Sequence, residues 1–226
     1  MPTYAIVAFD AMTGKSGQLS LAQQRLLGPA HEGIFTQEAP PSQSGPVTLR
    51  YIDRSGGVRW SHTLTGSNKQ LQVTSVVPTP DDGSIFIASA DGSVDLGDDK
   101  IEIAAGSLSS FVFALDATGA TRWWFTVPDT GLGHIALRPD GQFVLSGSTH
   151  TSNASNRFLA LAAPAGIVRV QPFDGTAVVN DLAVGVDGRA WVEINVVSDE
   201  DGPPPVLRIA GHTFTDAATY LFGIVL

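Results

Sequence analysis

Cysteine is absent from the 226-residue chain, which excludes disulfides, thiolate chemistry and cysteine-ligated metals together and leaves the redox compartment open. Charge is scarce, at 15% of residues, and it is unbalanced: 13 Lys and Arg face 22 Asp and Glu, for a net charge of −9. That balance argues against a nucleic-acid or anionic-membrane surface, and otherwise names no partner. Helical signal is also scarce. No window keeps a helical period longer than Leu19 to Leu27, and that stretch has no cap. The opening Met1-Pro-Thr-Tyr-Ala-Ile-Val-Ala-Phe-Asp10 has no basic region, and its apolar run is too short for a signal peptide or a membrane span.

Several catalytic and ligand motifs are missing. None of His31, His62, His134, His150 and His212 is spaced as a metal pair, and no His-Glu-x-x-His occurs. Ser146-Gly-Ser148 lacks the leading glycine of a nucleophile elbow. Thr13-Gly14-Lys15-Ser16 resembles the end of a phosphate loop, but Phe9 stands where that loop needs glycine, so a turn is expected.

What the chain does have is 43% hydrophobic residues with 24 Gly and 14 Pro, enough for a core and for many tight turns. It also has repeats. Asp53-x-x-Gly56-x-x-Arg59-Trp60 recurs as Asp116-x-x-Gly119-x-x-Arg122-Trp123, and a degraded third copy keeps Gly166 and Arg169 but has Val170 in place of the tryptophan. Each copy follows an apolar run: Val47-Thr-Leu-Arg-Tyr-Ile52, Phe111-Val-Phe-Ala-Leu115 and Phe158-Leu-Ala-Leu161. In phase with these, Asp82-Gly83, Asp140-Gly141 and Asp187-Gly188 each separate two strand-like stretches, as hairpin turns do; Glu32-Gly33 is a weaker fourth copy. The unit is therefore four strands long. Successive copies lie 58 and 47 residues apart, from Asp82 to Asp140 and from Asp140 to Asp187. The longer interval holds the insert Asp91 to Gly106, and Val206 to Gly211 echoes its end, Ile101 to Gly106.

Four strands per unit of this length predict an all-β propeller with blades of four-stranded antiparallel sheets. The reading is one domain, residues 1–226, with 1–46 an irregular first unit, 47–72 the end of the first blade, and repeat units at 73–127, 132–173 and 178–226. Four blades are expected, five being the alternative. Ala5 to Asp10 and Tyr220 to Ile224 both match the third strand of a unit, so an N-terminal strand is expected to close the ring and leave no open edge. The final strand is expected to pair with residues 4–10 or 16–21, or with a neighbouring subunit. A homo-oligomer or part of a longer repeat array are the assemblies this leaves open.

The run from Val94-Asp-Leu-Gly through Phe111-Val-Phe-Ala-Leu-Asp-Ala-Thr-Gly-Ala-Thr-Arg-Trp123 resembles the bacterial β-propeller repeats of large secreted or surface proteins, departing from them at Leu96 and at Asp98-Asp99. Ala114 to Trp123 and Ala8-Phe-Asp-Ala-Met-Thr-Gly14 are also similar to quinoprotein-type propeller repeats. Both resemblances imply a propeller whose tryptophan and turn dock one blade on the next. The first implies an extracellular or cell-surface setting. Neither supplies a catalytic motif.

The resulting expectation is a non-catalytic binding or assembly module with an unidentified protein or glycan ligand. A carbohydrate-binding lectin and a glycan hydrolase with carboxylates at the central channel are the alternatives. Asp91, Asp95, Asp98 and Asp99 are the candidate calcium ligands, set against a solvated loop on the rim; no other cofactor is expected. Trp124 and Arg122 are the candidate binding residues. Asp53, Gly56, Trp60, Asp116, Gly119, Trp123, Gly83, Gly141 and Gly188 are read as structural repeat positions. Ser198-Asp-Glu-Asp-Gly-Pro-Pro-Pro205 reads as a stiff connector.

Overall fold

Short apolar runs punctuated by glycine turns fold, in a computed structural model, into antiparallel hairpins throughout, with no helix among the described residues. The structure describes residues 4–9, 16–21, 24–38, 45–67, 71–103, 109–151, 154–173, 177–196, 206–209 and 211–226, and of residues 4–9, 16–21, 150–151 and 154–155 the backbone alone. The Thr13-Gly14-Lys15 turn and the 198–205 connector lie outside the described residues.

The strands are β1 (Tyr4–Phe9), β2 (Ser16–Leu21), β3 (Gln24–Ala30), β4 (Gly33–Glu38), β5 (Val47–Asp53), β6 (Val58–Gly66), β7 (Gln72–Pro78), β8 (Ser84–Ala90), β9 (Val94–Asp95), β10 (Lys100–Ile101) and β11 (Ser109–Leu115). They continue as β12 (Thr121–Val127), β13 (Thr130–Leu137), β14 (Phe143–Thr151), β15 (Ala154–Ala163), β16 (Gly166–Phe173), β17 (Ala177–Val184), β18 (Ala190–Val196), β19 (Leu207–Ile209), β20 (His212–Phe214) and β21 (Thr219–Ile224).

Four sheets repeat one plan. The first is the meander β3-β4-β5-β6, the second β7-β8-β11-β12, the third β13-β14-β15-β16, and the fourth the three-stranded β17-β18-β21. The first sheet begins at Gln24, inside the segment the sequence leaves irregular, and Glu32-Gly33 sits at its first hairpin. The opening strands of successive sheets are neighbours: β3 lies beside β7, β7 beside β13, and β13 beside β17. No comparable packing of β17 on β3 closes the series among the described residues, where β1 and β2 pair only with each other.

Three apolar layers join the four sheets, and strand alternation builds them. In β8, Phe86 and Ala88 face the first sheet while Ile85 and Ile87 face the third; in β11, Phe111 and Phe113 face one way and Val112 and Ala114 the other. The same division in β15 sends Phe158 and Ala160 to the second sheet and Leu159 and Leu161 to the fourth. Strands buried on both faces lose the polar alternation of a surface strand, so Phe111 to Leu115 reads as one continuous apolar run.

Five turns share one hydrogen-bond frame, at residues 53–57, 79–83, 116–120, 138–142 and 185–189. In each, the first N–H donates to the fifth carbonyl and the fourth N–H donates to the first carbonyl. The fourth residue has positive φ: Gly56 at 87°, Gly119 at 85°, Gly141 at 82°, Gly188 at 76°, but Asp82 at 60°. The Asp82-Gly83 pair is thus one residue out of step with Asp140-Gly141 and Asp187-Gly188. Asp81 is the counterpart of Asp140, and Gly83 takes the fifth place for another reason: a Cβ there would stand 2.7 Å from the Leu115 carbonyl oxygen. Since the left-handed conformation strains a side chain that glycine lacks, Asp82→Gly should raise stability by about 0.5–1 kcal/mol, read as a higher denaturation midpoint; a fall would contradict the frame.

The two inserts are hairpins between the second and third strands of their sheets. β9 pairs with β10 and also with β6, extending the first sheet to six strands; β19 pairs with β20 and lies against β16. Each covers the fourth strand of the preceding sheet. Gly97 and Gly211, in the turns of the two hairpins, are both at positive φ.

Candidate functional site

The acidic insert is a hairpin with one buried apolar side and its acids in solvent. Val94, Leu96, Ile101 and Ile103 are buried in the layer between the first and second sheets, and the acids occupy the solvent side of the same hairpin. Asp95 accepts a hydrogen bond from the Gly97 N–H through its own Oδ1, and the backbone N–H of Leu96 donates to the Asp99 carbonyl across the turn. Asp98 and Asp99 are exposed, and Asp91 lies before the hairpin. Among the described residues no three His, Asp or Glu side chains gather as a metal site.

The aspartates of the repeat serve its turns. Asp53 Oδ1 accepts from the N–H groups of Ser55 and Gly57 at 2.9 and 3.0 Å, and Asp116 Oδ1 accepts from those of Thr118 and Ala120 at 2.8 and 3.0 Å. The Ser55 and Thr118 hydroxyls donate to the same oxygens, and these hydroxyl bonds are the largest cause holding both carboxyls below the usual range. Asp81 is lowered by the Thr79 hydroxyl and then by Arg122, and Asp140 by Arg138. Arg122 is thus ion-paired to Asp81, while Arg59, its repeat counterpart, lies over the Tyr51 ring and faces Glu32. Trp124 is partly buried against the first layer, and Trp123 packs against the opposite one.

The two repeat tryptophans have unlike surroundings. Trp60 is 6% exposed, with Phe35 and Tyr51 at its ring and the 116–120 turn on top of it: a Cβ on Gly119 would stand 3.0 Å from Trp60 Cγ. His62 pins that turn, its Nδ1–H donating to the Gly119 carbonyl at 3.0 Å. Trp123 stacks with Phe125 and with Phe143 of the third sheet, at 6.2 and 5.8 Å. The turn that should cover it, between β15 and β16, has alanine at position 163 and no capping aspartate. It closes as a two-residue Pro164-Ala165 connection instead, with Ala163 opposite Gly166. A cleft of about 330 Å³ remains over Trp123, walled by Asp81, Arg122, Leu137, Arg138 and Pro164. The sequence carried this signal in the degraded third copy, but the missing aspartate reads there only as decay of a repeat.

His62 is half-buried and stacked on Phe113, its Nε2 is buried without a hydrogen-bond partner, and burial pushes its pKa down from 6.5. Above that value both folded and unfolded chains hold the neutral ring. Below it the unfolded chain takes a proton that the folded chain resists, so stability falls as pH drops through 6.5 toward the lower folded value. The loss of midpoint between about pH 7.5 and about pH 5.5 should be smaller in His62→Phe than in the parent; an equal loss would place the linkage elsewhere.

At the end of the stack, the fourth sheet packs Val192, Ile194, Phe222 and Ile224 on the third. Its other face carries Trp191, 41% exposed, and Leu221, 68% exposed, with Trp191 lying over Gly223. Glu193 on that face accepts a hydrogen bond from the Asn180 amide. Beyond β21 no further strand is paired among the described residues. Comparison with models of known protein families, and with curated proteins, finds no match for this chain.

Proposed function

We propose that the chain is a non-catalytic binding and assembly module on a four-blade β-propeller scaffold, its last blade completed by a strand of the N-terminal hairpin. The observation that carries this reading is the fourth sheet, which among the described residues has three paired strands where the shared plan has four, an edge at β21 without a partner strand, and Trp191 and Leu221 exposed on its outer face. A long apolar edge is an aggregation hazard unless it is paired. The β1–β2 hairpin supports the reading as donor: two strands alone are marginal in water, and Tyr4-Ala-Ile-Val-Ala-Phe9 has the composition of a buried strand. The succession β3, β7, β13, β17 supports the ring.

Asp53, Asp81, Asp116 and Asp140 are all held below the ordinary carboxylate range, so none of these four suits the protonated acid that a glycosidase needs near neutrality. With the resemblance to bacterial surface-protein repeats comes an extracellular or cell-surface setting.

Light scattering on the full chain and on a chain lacking residues 1–10 tests the closure. A monomer that loses stability on deletion means closure within the chain, and an oligomer that the deletion disperses means closure between copies. A monomer whose stability is unchanged overturns the account of the ring.

A further inference from the structure

We infer that the cleft over Trp123 binds a neutral saccharide, one pyranose ring lying against the indole with its hydroxyls on Asp81 and Arg122. The inference rests on the binding-module reading and gives it a ligand class, at a site separate from the fourth sheet.

The first ground is the comparison of equivalent positions. At the interface of the first two sheets the 116–120 turn fills the space over Trp60; at the next interface the shortened turn at Ala163–Gly166 leaves about 330 Å³ over Trp123. That volume falls in the range of small-ligand sites, which run from about 300 Å³ upward. The space exists because one turn of the repeat was replaced, not because the sheets pack badly: Ile85, Phe143 and Ala114 below it are buried.

The second ground is the lining. The floor is apolar and aromatic, from Trp123, Ile85 and Leu137, while the rim is polar and electrically balanced. Arg122 is paired with Asp81, whose Oδ1 also accepts the Thr79 hydroxyl; Arg138 is held by Asp140 and donates to the Gly188 carbonyl at 3.1 Å. An anion or a cation would meet the like charge of each pair beside the opposite one. A hydroxyl meets no such conflict, because it donates to the Asp81 carboxylate and accepts from the Arg122 guanidinium at once. A ligand with an apolar face for an indole and a row of hydroxyls along its edge is a sugar ring. The acidic chain as a whole, at −9, disfavours a polyanionic glycan and leaves neutral ones.

The full chain is titrated by calorimetry with maltohexaose, cellohexaose, mannohexaose and chitohexaose, with heparin hexasaccharide and a proline-rich decapeptide as the charged and peptide arms. At least one neutral hexasaccharide should bind. Asp81→Asn and Arg122→Gln, both on the exposed rim, should weaken it about tenfold or more, the loss expected for removing one hydrogen bond to a charged group. Replacing Ala163-Pro-Ala-Gly166 with Asp-Ala-Thr-Gly-Ala, the 116–120 turn, should abolish binding while leaving the chain folded by circular dichroism. Three results overturn the inference: no neutral hexasaccharide binds, binding is unchanged in both rim variants, or only heparin or the peptide binds. None of them alters the solution mass or its response to the N-terminal deletion, so the assembly reading stands or falls separately.

Discussion

Trp60→Ala will destabilise the chain by about 3–5 kcal/mol, the range for truncating a large buried aromatic that leaves a cavity. The indole joins three parts of the molecule: Phe35 and Tyr51 of its own sheet, and the Gly119 turn of the next. Its removal also takes away the ring on which that turn rests, beside the His62 bond to Gly119. Trp123→Ala, at the identical place in the repeat, will cost distinctly less, because no turn lies over its ring and part of its surface already faces a cleft. Chemical denaturation of the two variants beside the parent reads the difference. Equal losses would mean that the turn contributes nothing to the first interface.

A second large effect is expected in the acidic insert. Leu96→Ala and Ile101→Ala should each cost about 2–5 kcal/mol, while Asp98→Asn and Asp99→Asn should stay within about 0.5 kcal/mol of the parent. Leu96 and Ile101 are buried under the first layer and hold the hairpin against the edge of β6, whereas Asp98 and Asp99 stand in solvent at its turn. Denaturation midpoints with and without added calcium ions separate the two roles. A midpoint that rises with calcium in the parent, and not in Asp98→Asn, would make the acids ligands and reverse the ranking.

Much of the fold was legible because turns and alternation are local. Asp53 to Gly57 and Asp116 to Ala120 specify their own geometry through a carboxylate, a hydroxyl and a glycine, so five consecutive residues announce a hairpin wherever they occur. The Asp82-Gly83 register was misleading for an equally local reason: Asp tolerates the left-handed conformation, so the letters slipped by one against the backbone. The insert was harder. Its acids are visible in the sequence, but Val94, Leu96 and Ile101 are apolar at a spacing too short to call a strand, and the edge they cover belongs to another sheet. The cleft left only an indirect trace, alanine at position 163 where the other copies have aspartate, because it is a gap defined by two distant turns, one long and one short.

Four sheets joined by three apolar layers also set how the molecule opens. Among the described residues the second and third sheets are held on both faces and the first and fourth by one such layer each, so while the ring is open at the fourth sheet the energy of local opening should fall from the middle of the chain outward, as in a one-dimensional array. Amide hydrogens of β8, β11, β14 and β15 should exchange with solvent last, by whole-chain unfolding, and those of β21 first, by separation of a single strand. A partner that seats on the fourth sheet would then act at a distance. By adding a second layer to the sheet that opens most easily, it would slow exchange along the whole stack without touching more than its end.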